Sequence, residues 1–131
     1  MTRYILVSIG SGLLFGTMDA FINANPYAQR LMKIYEPITR RDINAAAGIA
    51  IDMIYGFALA GLYLLLLPVL PGESGFLMGL SYGLMLFFLR VFMYVVTQWM
   101  MFTIPVMTLL YMLVTGLLEM LVLGVFYGLL L

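Results

Sequence analysis

The chain has 131 residues, 65% of them hydrophobic and only 9% charged, with a mean hydropathy of +1.12. A soluble domain is nearer half apolar and a quarter charged, so this composition specifies an integral membrane protein. Six basic and six acidic residues cancel, which argues against nucleic acid as a partner, and the lack of Cys and His removes disulfides, thiolate metal sites and the usual haem ligands.

In chain order, Met1-Thr2-Arg3 precedes an apolar run over 4–24. A basic start before an apolar run is also how a signal peptide begins. This run, however, contains Asp19 and no small-x-small cleavage site, so it reads as an uncleaved membrane helix. Its Gly12 and Gly16 form a small-xxx-small pair. At about 100° per residue, Ser8, Gly12 and Asp19 share one face.

The stretch 25–43 (NPYAQRLMKIYEPITRRDI) is the one extended polar segment. Pro26 opens and Pro37 closes a short element with apolar Tyr27, Leu31, Ile34 and Tyr35 and polar Arg30 and Lys33. Two readings stand: an amphipathic helix at the lipid headgroups, or a solvated loop. Thr39 or Asp42 then caps the next helix, expected over 43–70. There Asp52 lies four residues from both Gly48 and Gly56, with Tyr63 further along the same face.

Pro68 and Pro71 end that helix, and Pro71-Gly72-Glu73-Ser74 is a tight turn. The third helix, expected over 74–102, carries Gly75, Gly79 and Gly83 at intervals of four, a smooth ridge for close packing. Arg90 is seven residues past Gly83, which in an α-helix is only about 20° off the ridge. Tyr94, Trp99 and Phe102 near its end resemble an interfacial aromatic belt, as do Tyr27 and Tyr35 in the preceding loop. Thr103-Ile104-Pro105 turns the chain into a last helix over 105–131, with Pro105 in its first turn. Thr108, Met112, Thr115 and Glu119 make a polar stripe there, and Gly124 and Gly128 a further small pair on a different face. A faint echo between Gly48–Gly56 and Gly116–Gly124 raises the idea of a duplicated helical hairpin, which composition alone also explains.

The expected fold is therefore all-α: one domain, a four-helix transmembrane bundle with short hairpin turns and one longer loop. Arg30, Lys33, Arg40 and Arg41 all fall in that loop, against Arg3 on the other side. Positive-inside counting puts the loop in the cytoplasm and both termini outside, in a bacterial or archaeal inner membrane. That bias also argues against dual topology.

Each helix carries one ionisable group: Asp19, Asp52, Arg90 and Glu119. A charge in hydrocarbon costs about 2.5–3.5 kcal/mol on insertion scales, so all four are expected to face the bundle interior. Arg90 and Glu119 are each about 20 Å from the turn between them, at about 1.5 Å per residue, and so nearly level. Glu119 and Asp52 are the favoured partners of Arg90, with Asp19 third. Three acids against one arginine leave an excess of negative charge, so at least one carboxyl is expected to be neutral or to reach water.

Functionally, the expected role is a small structural or accessory subunit of a membrane assembly, held by its glycine faces and the buried charges, with lipids, other transmembrane subunits or copies of itself as partners. The alternative is a small proton- or anion-linked carrier or channel using the same charges. No catalytic set emerges: no Ser, Thr, Tyr or Lys stands beside a base, and Arg90 on the acid-bearing faces opposes a divalent metal. No cofactor is expected.

Overall fold

The computed structural model describes residues 1–38 and 45–131. In chain order it contains α1 (Thr2–Ala24), α2 (Pro26–Leu31) running into a 3₁₀ turn (Met32–Ile38), and α3 (Ala45–Leu66) extended by a 3₁₀ turn to Val69. Then come α4 (Gly75–Leu86), a π-helical turn (Phe87–Phe92), α5 (Met93–Met101) and α6 (Val106–Leu130). Among the described residues there is no strand. Four helices are long and apolar enough to cross a membrane: α1, α3 with its extension, the continuous Gly75–Met101 unit, and α6. The expected caps Thr39 and Asp42, with Arg40, Arg41 and the start at Ile43, lie outside the described residues.

Local chemistry sets the boundaries. Asn25 stops α1 and caps α2, its Oδ1 accepting the Ala28 N–H at 2.8 Å, while Pro26 takes the first helical position. Pro68 falls in the 3₁₀ turn after α3, and Gly72 adopts a φ of 135°, a conformation open to glycine. The Ser74 hydroxyl caps α4 by accepting the Leu77 N–H at 3.3 Å. Pro105 is the residue before α6 and not inside its first turn, which still uses its missing N–H to advantage.

The bundle is built from two tightly joined pairs, α1 with α3 and α4 with α6, which meet chiefly through α1 and α6. In the first pair Gly56 lies on the backbone of Ser8 and Gly12, and Gly12 on that of Asp52 and Met53. In the second, Gly75 lies on Gly128, Gly79 on Gly124, and Gly83 on Met120. Gly12 and Gly56, Gly75 and Gly128, and Gly79 and Gly124 thus bring helix backbones together, Gly83 meets the Met120 backbone and Gly16 the Asp52 side chain, so close approach to a neighbouring helix is general among the spaced glycines. Gly48 is the exception: it is exposed, with open space around it, so its spacing from Asp52 carries no packing.

Where the pairs meet, Tyr63, Tyr82 and Tyr127 form a fully buried aromatic cluster with ring centroids 5.2–6.1 Å apart. A hydroxyl buried in an apolar core must find an acceptor. Tyr82 donates to the Leu59 carbonyl (2.6 Å), Tyr127 to that of Gly56 (3.4 Å) and Tyr4 to that of Phe57 (2.8 Å). The latter two carbonyls are open to a second donor because Ala60 and Gly61, one turn ahead of them, are small. Arg3 Nε donates to the Leu130 carbonyl at 2.7 Å, a cation at a helix C-terminus that ties the two chain ends together.

The glycine seam gives a direct test. A Cβ at Gly79 would fall on the Gly124 carbonyl oxygen, whereas one at Gly48 meets nothing. Gly79→Ala is expected to destabilise the protein by roughly 1–3 kcal/mol, as overpacking does, and Gly48→Ala to leave it unchanged or up to about 1 kcal/mol more stable. Thermal unfolding of both variants in detergent checks this, and equal behaviour would remove the seam's role.

Candidate functional site

Arg90 lies in the π-helical turn. The Met93 N–H reaches the carbonyl of Phe88, five residues back, and the Phe87 N–H is shared between those of Gly83 and Leu84. Such a turn holds one residue more than an α-turn, so everything beyond it is rotated by about 100°. The glycine ridge accordingly continues through Val91, whose side chain lies on Gly116 of α6, and not through Arg90. The placement of Arg90 near the ridge assumed an uninterrupted α-helix, and the π turn overturns it.

Displaced from the seam, the guanidinium rests against the stacked Phe15–Tyr55 ring pair, with Cζ 4.8 and 5.1 Å from the two centroids. One edge faces Glu119, with Nη1 3.6 Å from Oε1. That is an ion pair but longer than a hydrogen bond. The Glu119 side chain is 5% exposed, the Arg90 side chain 35%.

The exposed part of Arg90 opens into a cleft of about 520 Å³. Asp19 and Asn23 of α1, Tyr35 of the 3₁₀ turn, Tyr55 of α3, Tyr94 of α5, and Thr115 and Glu119 of α6 give it polar walls. Ile22, Met32, Val91, Val95 and Met112 add apolar surface. Asp19 and Glu119 both line it, so a second carboxyl shares the cleft with the one that faces Arg90. Buried Phe15, Leu86, Met120 and Leu123 pack in the core toward the chain termini. On the other side α2 is strapped to α6: Thr108 Oγ1 donates to the Leu31 carbonyl at 2.6 Å, Asn25 Nδ2 to the Tyr111 hydroxyl at 3.0 Å, and Tyr27 packs edge-on against Tyr111.

The four charges of the long helices thus divide unevenly. Arg90, Glu119 and Asp19 share the cleft. Asp52, ranked above Asp19 from the sequence, does not line it: its Oδ2 lies over Gly16, in a neighbouring groove between α1 and α3. It acts on Arg90, Asp19 and Glu119 through charge alone. Of the expected interfacial aromatics, Tyr27 and Trp99 are exposed, but Tyr35 turns into the cleft wall. Among the described residues no set of three acidic side chains is arranged to hold a metal ion. Nothing in the sequence marks Phe15 and Tyr55 as supports for Arg90, although Phe15 stands four residues before Asp19 and Tyr55 three after Asp52, about one helical turn from an acid in each case. The chain matches no protein-family model, no curated protein and no solved structure.

Removing one member of a buried ion pair costs about 3–5 kcal/mol, while removing both is nearly neutral. Because Arg90 is a third exposed, Arg90→Met should fall below that range yet remain clearly destabilising. Adding Glu119→Gln should recover most of the loss, since contacting neighbours are non-additive. Adding Asp52→Asn should recover less. Melting temperatures of the single and double variants decide this, and equal rescue by the two carboxyl changes would refute the pairing.

Proposed function

We propose that the four long helices cross a bacterial or archaeal cytoplasmic membrane and that the Arg90 cleft is a solute site of a small proton-linked carrier, open to water on one side. One observation carries this reading. The guanidinium has five donors, is a third exposed to a polar-walled cleft, and makes no hydrogen bond to any described residue. A charge kept only to fix helix order would be closed off and fully satisfied. The cleft volume lies in the range used for small ligands, and π turns recur where helices do chemistry. Asp19 and Glu119 set two carboxyl groups on the cleft wall beside Arg90. The packed core beyond Phe15 speaks against a continuous pore.

Arg30 and Lys33 are exposed at the cleft end, and Arg40 and Arg41 belong to the same connection. By the positive-inside rule the cleft faces the cytoplasm and both termini lie outside.

The accessory-subunit reading retains one supporting observation. Asp52 faces the groove formed with Gly12, Gly16 and Ile49 on the flank of the bundle, and a carboxylate at membrane depth is usually covered by protein. A helix from another subunit or copy would cover it.

Because the chain lacks cysteine, single Cys probes separate the two. A membrane-impermeant thiol reagent should label Thr115→Cys and Asn23→Cys in inverted membrane vesicles and spare them in intact cells, with Ser74→Cys showing the opposite pattern. Silence of both cleft positions from either side would mean a closed cluster and would return the charges to a structural role.

A further inference from the structure

Resting on that reading, we infer that the ligand of the cleft is a small zwitterion with an apolar body, its ammonium held on the α1 wall and its anionic oxygens on the third span. Opposite charges stand on two walls of this cleft without meeting. Arg90 pairs with Glu119, whose side chain is closed off at 5% exposure, and forms no ion pair with Asp19 across the opening. Asp19 is half-buried on α1, so its carboxylate borders the open space. One turn further on, Asn23 Nδ2 donates to the Asp19 carbonyl at 3.0 Å, which leaves its Oδ1 free to accept. The third span answers with donors. The guanidinium of Arg90 makes no hydrogen bond to any described residue, and neither does the hydroxyl of Tyr94, four residues on.

A ligand of one sign leaves one wall unanswered. An anion meets Arg90 and Tyr94 but brings a like charge toward Asp19, and a cation meets Asp19 and Asn23 but faces Arg90. Polar groups shut away without partners are the costly outcome. A neutral polar molecule would satisfy both walls, with hydrogen bonds about half as strong as charge-assisted ones. A zwitterion answers each wall with its opposite. A carboxylate or phosphate fits the guanidinium fork, and an ammonium carries three donors for the Asp19 carboxylate and Asn23 Oδ1. Phe15 and Tyr55 hold the guanidinium in place, so little ordering is left for the ligand to impose. Ile22, Met32, Val95 and Met112 offer the rest of the molecule an apolar bed. The two charged ends occur together in free amino acids and in the headgroup of phosphatidylethanolamine, and that shared chemistry is what the walls select.

The test is calorimetry on the full chain in a non-ionic detergent, with leucine as the zwitterionic probe. Its two halves are the controls: isocaproate keeps the carboxylate and the branched body, and isopentylamine keeps the ammonium and the same body. Dihexanoyl phosphatidylethanolamine probes a lipid source. Leucine should bind at least about tenfold more tightly than either half, the equivalent of one hydrogen bond to a charged group. Asp19→Asn should bring leucine down to about the level of isocaproate and leave isocaproate no weaker, while Trp99→Phe, outside the cleft, should change neither. Binding of the lipid in place of leucine, with the same response to Asp19→Asn, supports the paired-charge chemistry and names the membrane as its source. Either half binding as tightly as the zwitterion overturns the inference, as does zwitterion binding that is indifferent to Asp19→Asn. The comparison of leucine with its halves uses the unaltered chain, so it decides even where a variant fails to fold. If the cleft cysteines are labelled but neither leucine nor the lipid binds, this inference fails and the solute-site reading stands. If the cysteines are silent, both fail.

Discussion

A guanidinium midway along an apolar helix must find both counter-charge and hydrogen-bond acceptors inside the protein, since hydrocarbon supplies neither. Much of the half of this bundle nearer α2 follows from that requirement. Arg90 receives charge from Glu119 at 3.6 Å and ring faces from Phe15 and Tyr55. Asp19 and the more distant Asp52 add further negative potential. None of these provides a close acceptor, and the remaining donors turn toward the cleft. The cleft therefore lies where the arginine's hydrogen-bonding shell is left open by the protein.

The opposite half of the molecule is organised by close backbone approach. Gly12 and Gly56 bring α1 onto α3, and Gly79 and Gly124 bring α4 onto α6. Helix association in lipid gains nothing from hiding apolar surface, so contact has to come from fit. The gap left between the two pairs is filled by Tyr63, Tyr82 and Tyr127, large rings whose hydroxyls end on α3 carbonyls. The pairs are thus pinned together at the terminal end, while toward α2 they diverge enough to leave the cleft. Ser8 Oγ, fully buried among these contacts, has no hydrogen-bond partner among the described residues.

The number and span of the long helices were legible because apolar runs bounded by Pro, Gly and Asn leave little choice. The glycine seams were legible for the same reason: Gly75, Gly79 and Gly83 stand one helical turn apart. Two things were not. The echo of glycine spacing placed Gly48 in a packing role, although spacing says nothing of where a neighbouring helix has diverged. The π turn has no mark in FFLRVF, since its one extra residue is chosen by how α4 and α5 each pack on α6 and not by local propensity. That single residue decides which side chain meets Gly116, so an α-phase projection put Arg90 one position away from its real orientation. Asp19 was underrated on similar grounds, because depth along a helix was counted while the reach of the arginine and the tilt of α1 could not be.

The π turn is also what separates a buried ion pair from an exposed binding group. In a continuous α-helix Arg90 would stand over Gly116, within the α4–α6 seam, where a small residue leaves room for its stem and Glu119 would close over its charged end. The extra residue gives that place to Val91, an apolar side chain that seals the seam at no electrostatic cost. Arg90 is moved instead onto the face shared with α1 and α3, where two rings support it and water can reach it. A π turn is weaker than the α-turn it replaces, and the compensation visible here is the Val91–Gly116 contact together with the ring pair under the guanidinium. The cost of the irregular turn is therefore borne by packing on both of its sides, and its effect is to present a fixed positive charge midway along an apolar helix with unused donors facing an open space.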